Sequence, residues 1–408
     1  MVSQINTGDT AWILVCCSLV LLMTPALALF YGGMVRKKNL LSTLTLSYTF
    51  MALIGVQWML YGYSLSFGAD IKGFIGGLNY LGFTGVDGQP NAEYSKTIPH
   101  NLFAAFQMMF AVITPALITG AFVERVKFKS FLLFSLLWAT LVYDPLCHWV
   151  WGAGGWLKQM GVLDFAGGTV VHISAGFSAL AFALVIGPRK GYGKYPLEPS
   201  NIPLTVLGAG LLWVGWFGFN AGSALAANGV AVNALLTTNT SAATAGLVWM
   251  LLSWLDGRPS TLGIATGMVV GLAAVTPASG YVTPLTAMVI GAVAAPLSYY
   301  AMRFRDRYKL DESLDVWACH GLSSTWGMIA TGLFATVTVN SDGANGLFFG
   351  NPQQVIIQLV AVVVTIVFCF VVTYVLAKLL DWSIGLRVSP MEEEVGLDIS
   401  SHGERSYS

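Results

Sequence analysis

The chain has 408 residues, of which 55% are hydrophobic and 10% are charged, and its mean hydropathy is +0.69. Soluble domains carry about 25% charged residues, so this composition excludes an ordinary multidomain soluble protein. Lys plus Arg and Asp plus Glu both number 20, which indicates neither a nucleic-acid-binding surface nor an acidic scaffold. The five cysteines lack the paired spacing of a zinc site or redox motif, and we predict no metal or cofactor.

Apolar stretches long enough to cross a bilayer follow one another along the chain, since about 20 helical residues cross a hydrocarbon core of roughly 30 Å. The eleven predicted spans are 11–33, 40–66, 99–122, 130–151, 167–187, 201–227, 231–255, 260–277, 281–302, 313–338 and 353–380. The sequence therefore predicts an all-α polytopic protein with eleven transmembrane helices in a lipid bilayer. We expect no cleavable signal peptide, because the first span is preceded by no basic region.

The basic residues predict the orientation of the chain. Only Lys72, Lys96 and Lys158 of the 20 fall in loops on one side, and the others fall on the side that cytoplasmic loops occupy under the positive-inside rule. We predict a multi-pass protein of the cell (plasma) membrane with its N-terminus outside. The membrane domain is predicted to end at residue 380, and residues 381–408 are predicted to form a cytoplasmic tail.

Ionisable residues inside membrane spans are costly, so each is a functional candidate. The candidates are Asp144, His148, Asp164, His172, Asp315 and His320. His172 and His320 lie five spans apart, which fits two inverted halves, about 11–190 and 201–338, with 353–380 as an additional helix. The two histidines would then be related by a pseudo-two-fold axis. The alternative is two unrelated core histidines.

A neutral imidazole offers one donor and one acceptor. A pair of such rings can pass a proton, or bind a small N–H donor, without placing a fixed charge in hydrocarbon. No third residue has the spacing of a metal ligand beside these histidines, so the residues favour a pore over a metal site.

Aromatic residues form a second group of candidates. They are Phe106, Phe110, Trp149, Trp151, Trp213, Trp216, Phe217 and Phe219, the last just before Ser223. Most aromatic residues at helix ends belong to interfacial belts. The alternative is a cage in which ring faces attract a small cation and the Ser223 hydroxyl accepts a hydrogen bond from it.

Several motifs extend over nearly the whole chain. They are Phe30-Tyr-Gly-Gly-Met-Val-Arg-Lys-Lys-Asn, Phe122-Val-Glu-Arg, Leu163-Asp-Phe-Ala-Gly-Gly-Thr-Val-Val-His-Ile, Gly215-Trp-Phe-Gly-Phe-Asn-Ala-Gly-Ser-Ala, Asn239-Thr-Ser-Ala-Ala, Asp315-Val-Trp-Ala-Cys-His-Gly, Gly385-Leu-Arg-Val-Ser and Gly396-Leu-Asp-Ile-Ser-Ser-His-Gly-Glu-Arg. With these motifs the chain resembles the ammonium transporters of the Amt/Mep/Rh group, in particular the prokaryotic Amt type.

The resemblance implies a homotrimer with one pore per subunit. It implies an external ammonium site formed by Trp151, Ser223 and Phe110, and a gate formed by Phe110 and Phe219. It also implies that His172 and His320 line the pore. Asp164 would be a supporting acid near the entrance, and a helix cap is the alternative interpretation of this residue.

The implied function is electrogenic ammonium uptake, with methylammonium as an analogue of the substrate. We expect ammonium to lose its proton near the outer site, neutral NH₃ to pass the histidines, and the proton to follow a separate relay. Ammonium and potassium are similar in size, so hydrogen-bond acceptors and a removable proton must distinguish them.

The tail motifs carry the residues Gly385, Arg387 and Asp398, to which the resemblance assigns a regulatory role. A PII-type regulatory protein at the cytoplasmic exit is the implied partner, and a solvated acidic tail is the alternative. We expect no fused output domain after Ser408. Ser323 and Ser324 depart from the glycines of many relatives and add hydroxyls near the lower pore.

Three other classes of function are alternatives to a transporter. An ammonium sensor would use the same site with little flux, and a passive gas or water pore would need no cation site. An enzyme is not expected, because the sequence has no GxSxG or HExxH motif and no pair of aspartates on facing helices.

Overall fold

The computed structural model describes residues 4–407, and its main elements are eleven long helices. They are α1 (Thr7–Met34), α2 (Lys37–Phe67), α3 (His100–Ala121), α4 (128–151), α5 (Gly168–Ile186), α6 (Ile202–Gly222), α7 (Gly229–Leu255), α8 (Thr261–Val275), α9 (Pro284–Arg307), α10 (317–334) and α11 (Gln353–Ile384). Within residues 4–407, nine helices are individually long and apolar enough to cross a membrane, and α8 and α10 are shorter or less apolar. The predicted all-α polytopic fold is confirmed, and each helix lies within about five residues of its predicted span.

Polar side chains define where several helices begin. Asn6 accepts a hydrogen bond from the third residue of α1, and Asn201 and Asn228 cap α6 and α7 in the same way. Ser260 and Thr283 cap α8 and α9. A side-chain oxygen at this position satisfies an N–H group that has no partner inside the helix.

Small residues allow neighbouring helices to approach closely. α6 packs along α1, where a Cβ atom added at Gly218 would lie 2.6 Å from Leu19 Cβ. α8 packs on α7, where a Cβ at Gly271 would lie 2.5 Å from the Ser241 carbonyl oxygen. Such contacts provide close packing where lipid offers no hydrophobic driving force for association.

The pairing of helices agrees with two halves of five helices each. α1 packs on α6, the first helix of the second half, and α5 packs on α10. Both α5 and α10 begin with a widened, π-helical turn, Gly168–Ile173 and Trp317–Leu322. These turns carry the buried histidines His172 and His320, and π-helical turns often occur at functional sites.

Short elements lie at both ends of the bundle. The loop between α2 and α3 forms two antiparallel hairpins, in which β1 (Asp70–Ile71) pairs with β2 (Ile75–Gly76) and β3 (Pro90–Asn91) pairs with β4 (Ser95–Pro99). These hairpins and the loop helix Trp156–Met160 lie near Trp151, at what we call the Trp151 end. The opposite, tail end carries the helices Pro390–Val395 and Leu397–His402. The sequence analysis did not predict these elements, because their strands and turns are too short for a periodic signal.

Candidate functional site

Five aromatic and imidazole rings form a continuous array through the bundle. Trp151 packs edge-on against Phe110, with ring centroids 5.9 Å apart, and Phe110 lies 4.2 Å from Phe219. Phe219 lies 5.9 Å from His172, and His172 stacks on His320 at 5.2 Å. The five rings belong to α4, α3, α6, α5 and α10, in that order. All five residues are among the site candidates named from the sequence.

A cavity of about 520 Å³ opens at the Trp151 end of this array. Trp151, Phe110 and Ser223 all line it, so the three residues of the predicted external site lie together. Ser223 Oγ donates a hydrogen bond to the Phe219 carbonyl oxygen at 2.8 Å. Its lone pairs therefore remain available to accept a hydrogen bond from a ligand.

The rings of Phe110 and Phe219 close the floor of this cavity. Both are buried, with exposed fractions of 1% and 0%. Beneath them lies a narrow space of about 10 Å³, lined by aliphatic side chains, Trp216 and the two histidines. A constriction of this size and polarity excludes bulk water.

The two histidines face each other through the same ring atom. Their Nδ1 atoms are 3.2 Å apart, and both side chains are almost completely buried. One Nδ1 must therefore carry the proton while the other accepts it, which leaves one Nε2 as an acceptor and the other as a donor when both rings are neutral. His172 Nε2 has no hydrogen-bond partner within residues 4–407. It is available for a further hydrogen bond.

Asp164 holds the beginning of α5 and also supports Trp151. Its carboxylate accepts the backbone N–H groups of Gly167, Gly168 and Thr169 at 2.8, 2.6 and 2.8 Å, and the Thr169 hydroxyl as well. Its backbone carbonyl accepts Trp151 Nε1–H at 3.0 Å. A carboxylate at this position neutralises unpaired N–H groups and the positive helix end. Asp164 thus links the aromatic site to the helix that carries His172.

Glu312 occupies the equivalent place before α10, and the sequence analysis missed it. Its carboxylate accepts the N–H groups of Val316 and Trp317 at 3.0 and 3.2 Å. Burial, and then the nearby Asp315 carboxylate, raise the pKa of Glu312 above its usual value. Glu312 precedes His320 by the same eight positions that separate Asp164 from His172. This repeated spacing between acid and histidine could have identified Glu312 from the sequence.

The other ionisable candidates lie away from the array or at its far end. Asp144 accepts a hydrogen bond from Gln57 at 2.7 Å, and His148 lies between the Ser66 carbonyl and Asp70, 2.9 Å from each. Neither is a member of the ring array. Asp315 lines a cavity of about 350 Å³ at the tail end that also reaches His320.

Not every predicted aromatic residue joins the site. Trp216 stacks on His172 at 5.3 Å, and Phe106 contacts Phe110 at 5.0 Å. Trp149 instead packs against Phe368 at 4.5 Å, on the other side of α4. Trp213 and Phe217, six and two positions before Phe219 on α6, line neither cavity of the array.

The hydroxyls of Ser323 and Ser324 are bound to backbone carbonyls. Ser323 donates to the Cys319 carbonyl, one turn back in its own helix, and Ser324 donates to the Ala273 carbonyl of α8 at 2.8 Å. Both side chains are buried. Both hydroxyl donors are thus already used. Ser324 connects α10 to α8 and Ser323 binds the backbone of its own helix, so neither offers a free O–H group to the lower pore.

The tail contacts the tail-end turns of α2, α4 and α5. The Gly385 carbonyl accepts Ser130 Oγ–H at 2.6 Å, and Gly385 has a φ of +70°, a value that favours glycine. The Arg387 guanidinium pairs with Glu393 at 2.7 Å. Asp398 accepts the Ser42 N–H at 2.8 Å, near the beginning of α2. The three tail residues singled out in the sequence therefore all belong to contacts within the tail or between the tail and the bundle.

A buried ion-pair network lies beneath the tail. The Glu124 carboxylate contacts Arg36 at 3.0 Å and Arg189 at 2.9 Å. Burial disfavours its charge, but the two guanidinium groups outweigh burial and hold the pKa of Glu124 below its usual value. Arg189 also pairs with Asp311 at 2.8 Å, so the network connects the loops after α1, α3, α5 and α9.

Comparison with known proteins agrees with this arrangement. Residues 11–407 match the model of the Ammonium Transporter Family. The chain is 53% identical to the ammonium transporter Amt1 of Archaeoglobus fulgidus over 98% of this chain and 100% of that protein, and 49% identical to an ammonium transporter of Bacillus subtilis over 98% of each. Its structure resembles the crystal structure of Mep2 from Candida albicans with a TM-score of 0.90 and 36% identity, covering 95% of this chain and 88% of that one. The chain is therefore a multi-pass membrane protein that belongs to the ammonium transporter family, a family of transporters and not of enzymes.

Proposed function

We propose that this chain moves ammonium across a cell membrane along the array from Trp151 to His320. Ammonium binds in the Trp151 cavity, gives up a proton there, and passes the phenylalanine gate as NH₃, while the proton follows a separate relay. The observation that carries this proposal is the unbroken series of rings, between which the described lining residues include no fixed charge.

The composition of the Trp151 cavity supports binding of a small cation there. The rings of Trp151 and Phe110 offer faces to a positive charge, and Ser223 Oγ offers a lone pair. Cation–π attraction contributes about 0.5–2 kcal/mol, the larger value when the cation is partly dehydrated. The rings and the hydroxyl therefore attract ammonium beside the ionisable groups that also line this cavity, which are Glu93, Lys158, Asp164 and Asp342.

The gate and the space below it favour the neutral form. Burying an unpaired ion in an apolar interior costs far more than burying a neutral hydrogen-bonding molecule. NH₃ that passes Phe110 and Phe219 meets one Nε2 acceptor and one Nε2 donor of the histidine pair. The acceptor can bind one of its three N–H groups and the donor can bind its lone pair, and the two atoms also provide a site for proton transfer.

Replacement of Trp151 by leucine is expected to raise the ammonium concentration that gives half-maximal current by about tenfold, because one aromatic face is lost. The measurement is a concentration series of ammonium-dependent currents in proteoliposomes. Trp149→Leu is the matched control, since Trp149 lies two positions earlier but packs against Phe368. An unchanged half-saturating concentration in Trp151→Leu would instead support a passive pore without a cation site.

We further propose that the Trp151 end faces outward, that the tail end faces the cytoplasm, and that the chain assembles as a homotrimer with one pore per subunit. The concentration of basic residues in the tail-end loops supports this orientation. The contacts of Gly385, Arg387 and Asp398 with the tail-end turns of α4, α5 and α2 support a regulatory role for the tail.

A PII-type protein at the tail end is the proposed regulatory partner. We expect binding to the purified transporter in the presence of ADP and weaker binding in the presence of ATP with 2-oxoglutarate. Calorimetric titration under the two conditions measures this difference. The absence of binding under both conditions would reject this partner.

A further inference from the structure

The last helix, α11, lies outside the two five-helix halves, yet its first turns reach the Trp151 end. Gln358 of α11 is completely buried, and both functional groups of its side-chain amide bind Leu163, while Nε2 also makes a longer contact of 3.4 Å with the Met328 carbonyl oxygen. Gln358 Oε1 accepts the Leu163 N–H at 2.9 Å, and Gln358 Nε2 donates to the Leu163 carbonyl oxygen at 2.7 Å. The amide therefore pairs with both backbone groups of Leu163, as a residue of a neighbouring β-strand would.

The backbone of Leu163 depends on this contact. In the described part of the chain, neither its N–H nor its C=O has another hydrogen-bond partner. Leu163 lies in the segment between the helix Trp156–Met160 and α5, where no regular structure supplies backbone partners. Buried backbone groups without partners are costly, so Gln358 provides what the local chain lacks.

A second glutamine of α11 strengthens this attachment. Gln354, one turn earlier, donates through Nε2 to the Gly161 carbonyl oxygen at 3.0 Å. It also lies 3.4 Å from Gln358 Oε1. Two glutamines four positions apart lie on one face of a helix, and here that face is turned toward residues 161–163.

The position of Leu163 sets the position of the next residue, Asp164. The Asp164 carbonyl accepts Trp151 Nε1–H at 3.0 Å, and the Asp164 carboxylate caps the helix that carries His172. A displacement of Leu163 along the bundle axis therefore moves the acceptor of Trp151 and the cap of α5 together. Small displacements of a positioned group can reduce binding or rate strongly.

We propose that Gln358 is a positioning residue of the ammonium site. Through Leu163 it fixes Asp164 relative to Trp151, so that α11 contributes to substrate binding without contacting the substrate. This inference rests on the proposed function of the Trp151 cavity and goes beyond it, because it assigns a role in the site to the helix outside the repeat.

The test replaces Gln358 by methionine, which has a similar volume but makes neither hydrogen bond to Leu163. Gln358→Met is expected to raise the half-saturating ammonium concentration by about tenfold, comparable with the loss of one aromatic contact, and to lower the maximal current less than twofold. Currents are normalised to the amount of folded transporter in the proteoliposomes.

The matched control is Thr373→Val on the same helix. Thr373 is also completely buried and hydrogen-bonds with Trp138 and Ser178, about four turns further along α11. This variant is expected to lower the melting temperature and to leave the half-saturating concentration unchanged. Together, the two variants distinguish an effect on ammonium binding from a general loss of α11 packing.

Gln358→Glu provides a second measurement that does not depend on the folding of Gln358→Met. It keeps an acceptor for the Leu163 N–H but loses the donor to the Leu163 carbonyl, so we expect a rise in half-saturating concentration here as well. A wild-type half-saturating concentration in the folded Gln358 variants would overturn the proposal. Absence of saturable current in the unmodified protein would instead contradict the proposed function itself, so the two failures are distinguishable.

Discussion

Replacement of Asp164 by alanine is expected to abolish ammonium-dependent current. The substitution leaves three backbone N–H groups and the Thr169 hydroxyl without their acceptor at the buried start of α5. Each buried donor left unpaired costs about 1–3 kcal/mol, so the native geometry of this turn cannot be kept. The same turn supports Trp151 and leads into His172, and both parts of the site would be displaced.

The measurement is current from proteoliposomes after an ammonium concentration jump, with size-exclusion chromatography to verify that the protein is folded. Asp144→Asn is the matched control, because Asp144 is also a buried carboxylate but its partner is Gln57, away from the array. We expect the control to keep at least half of the wild-type current, since an amide can still accept from Gln57. A wild-type current in Asp164→Ala would show that the cap is not needed for transport.

The second large effect is expected at the histidine pair. His172→Asp should retain permeation but reduce the discrimination of ammonium against potassium at least about tenfold, because a fixed carboxylate stabilises a whole cation where neutral imidazoles do not. The loss of one ring also removes the shared Nδ1–Nδ1 contact of 3.2 Å. Currents elicited by ammonium and by potassium in the same liposomes measure this ratio.

His148→Gln serves as the comparison for this substitution. His148 is a buried histidine of α4 that contacts Ser66 and Asp70 and is not part of the ring array. We expect its replacement to leave the ammonium-to-potassium ratio unchanged. If His172→Asp also kept the wild-type ratio, the proposal that neutral NH₃ passes the histidines would be wrong.

The sequence predicts the helices well because membrane spans have a strong local signal. Runs of apolar residues placed all eleven helices, and five-helix spacing suggested the relation between His172 and His320. The presence of an ionisable residue inside a span predicted less well which residues belong to the ring array. Asp144 and His148 satisfy the same criterion as His172, yet their partners lie in α2 and the adjoining loop and not in the array.

Long-range contacts explain what the sequence did not predict. Gln358 and Leu163 are 195 positions apart, and no local pattern connects them. The role of Ser324 also depends on a distant partner, the Ala273 carbonyl of α8, which no local pattern indicates. Glu312 differs from these, since its spacing to His320 repeats that of Asp164 to His172 and was visible in the chain.

We propose that the ring array conducts ammonium with net movement of charge. The most direct measurement applies ammonium pulses to proteoliposomes adsorbed on a solid-supported membrane, at several protein densities. We predict a sustained current that scales with protein density, together with little or no current in response to potassium. A brief current that is insensitive to protein density would show binding without transport, as expected for a sensor, and would contradict the account.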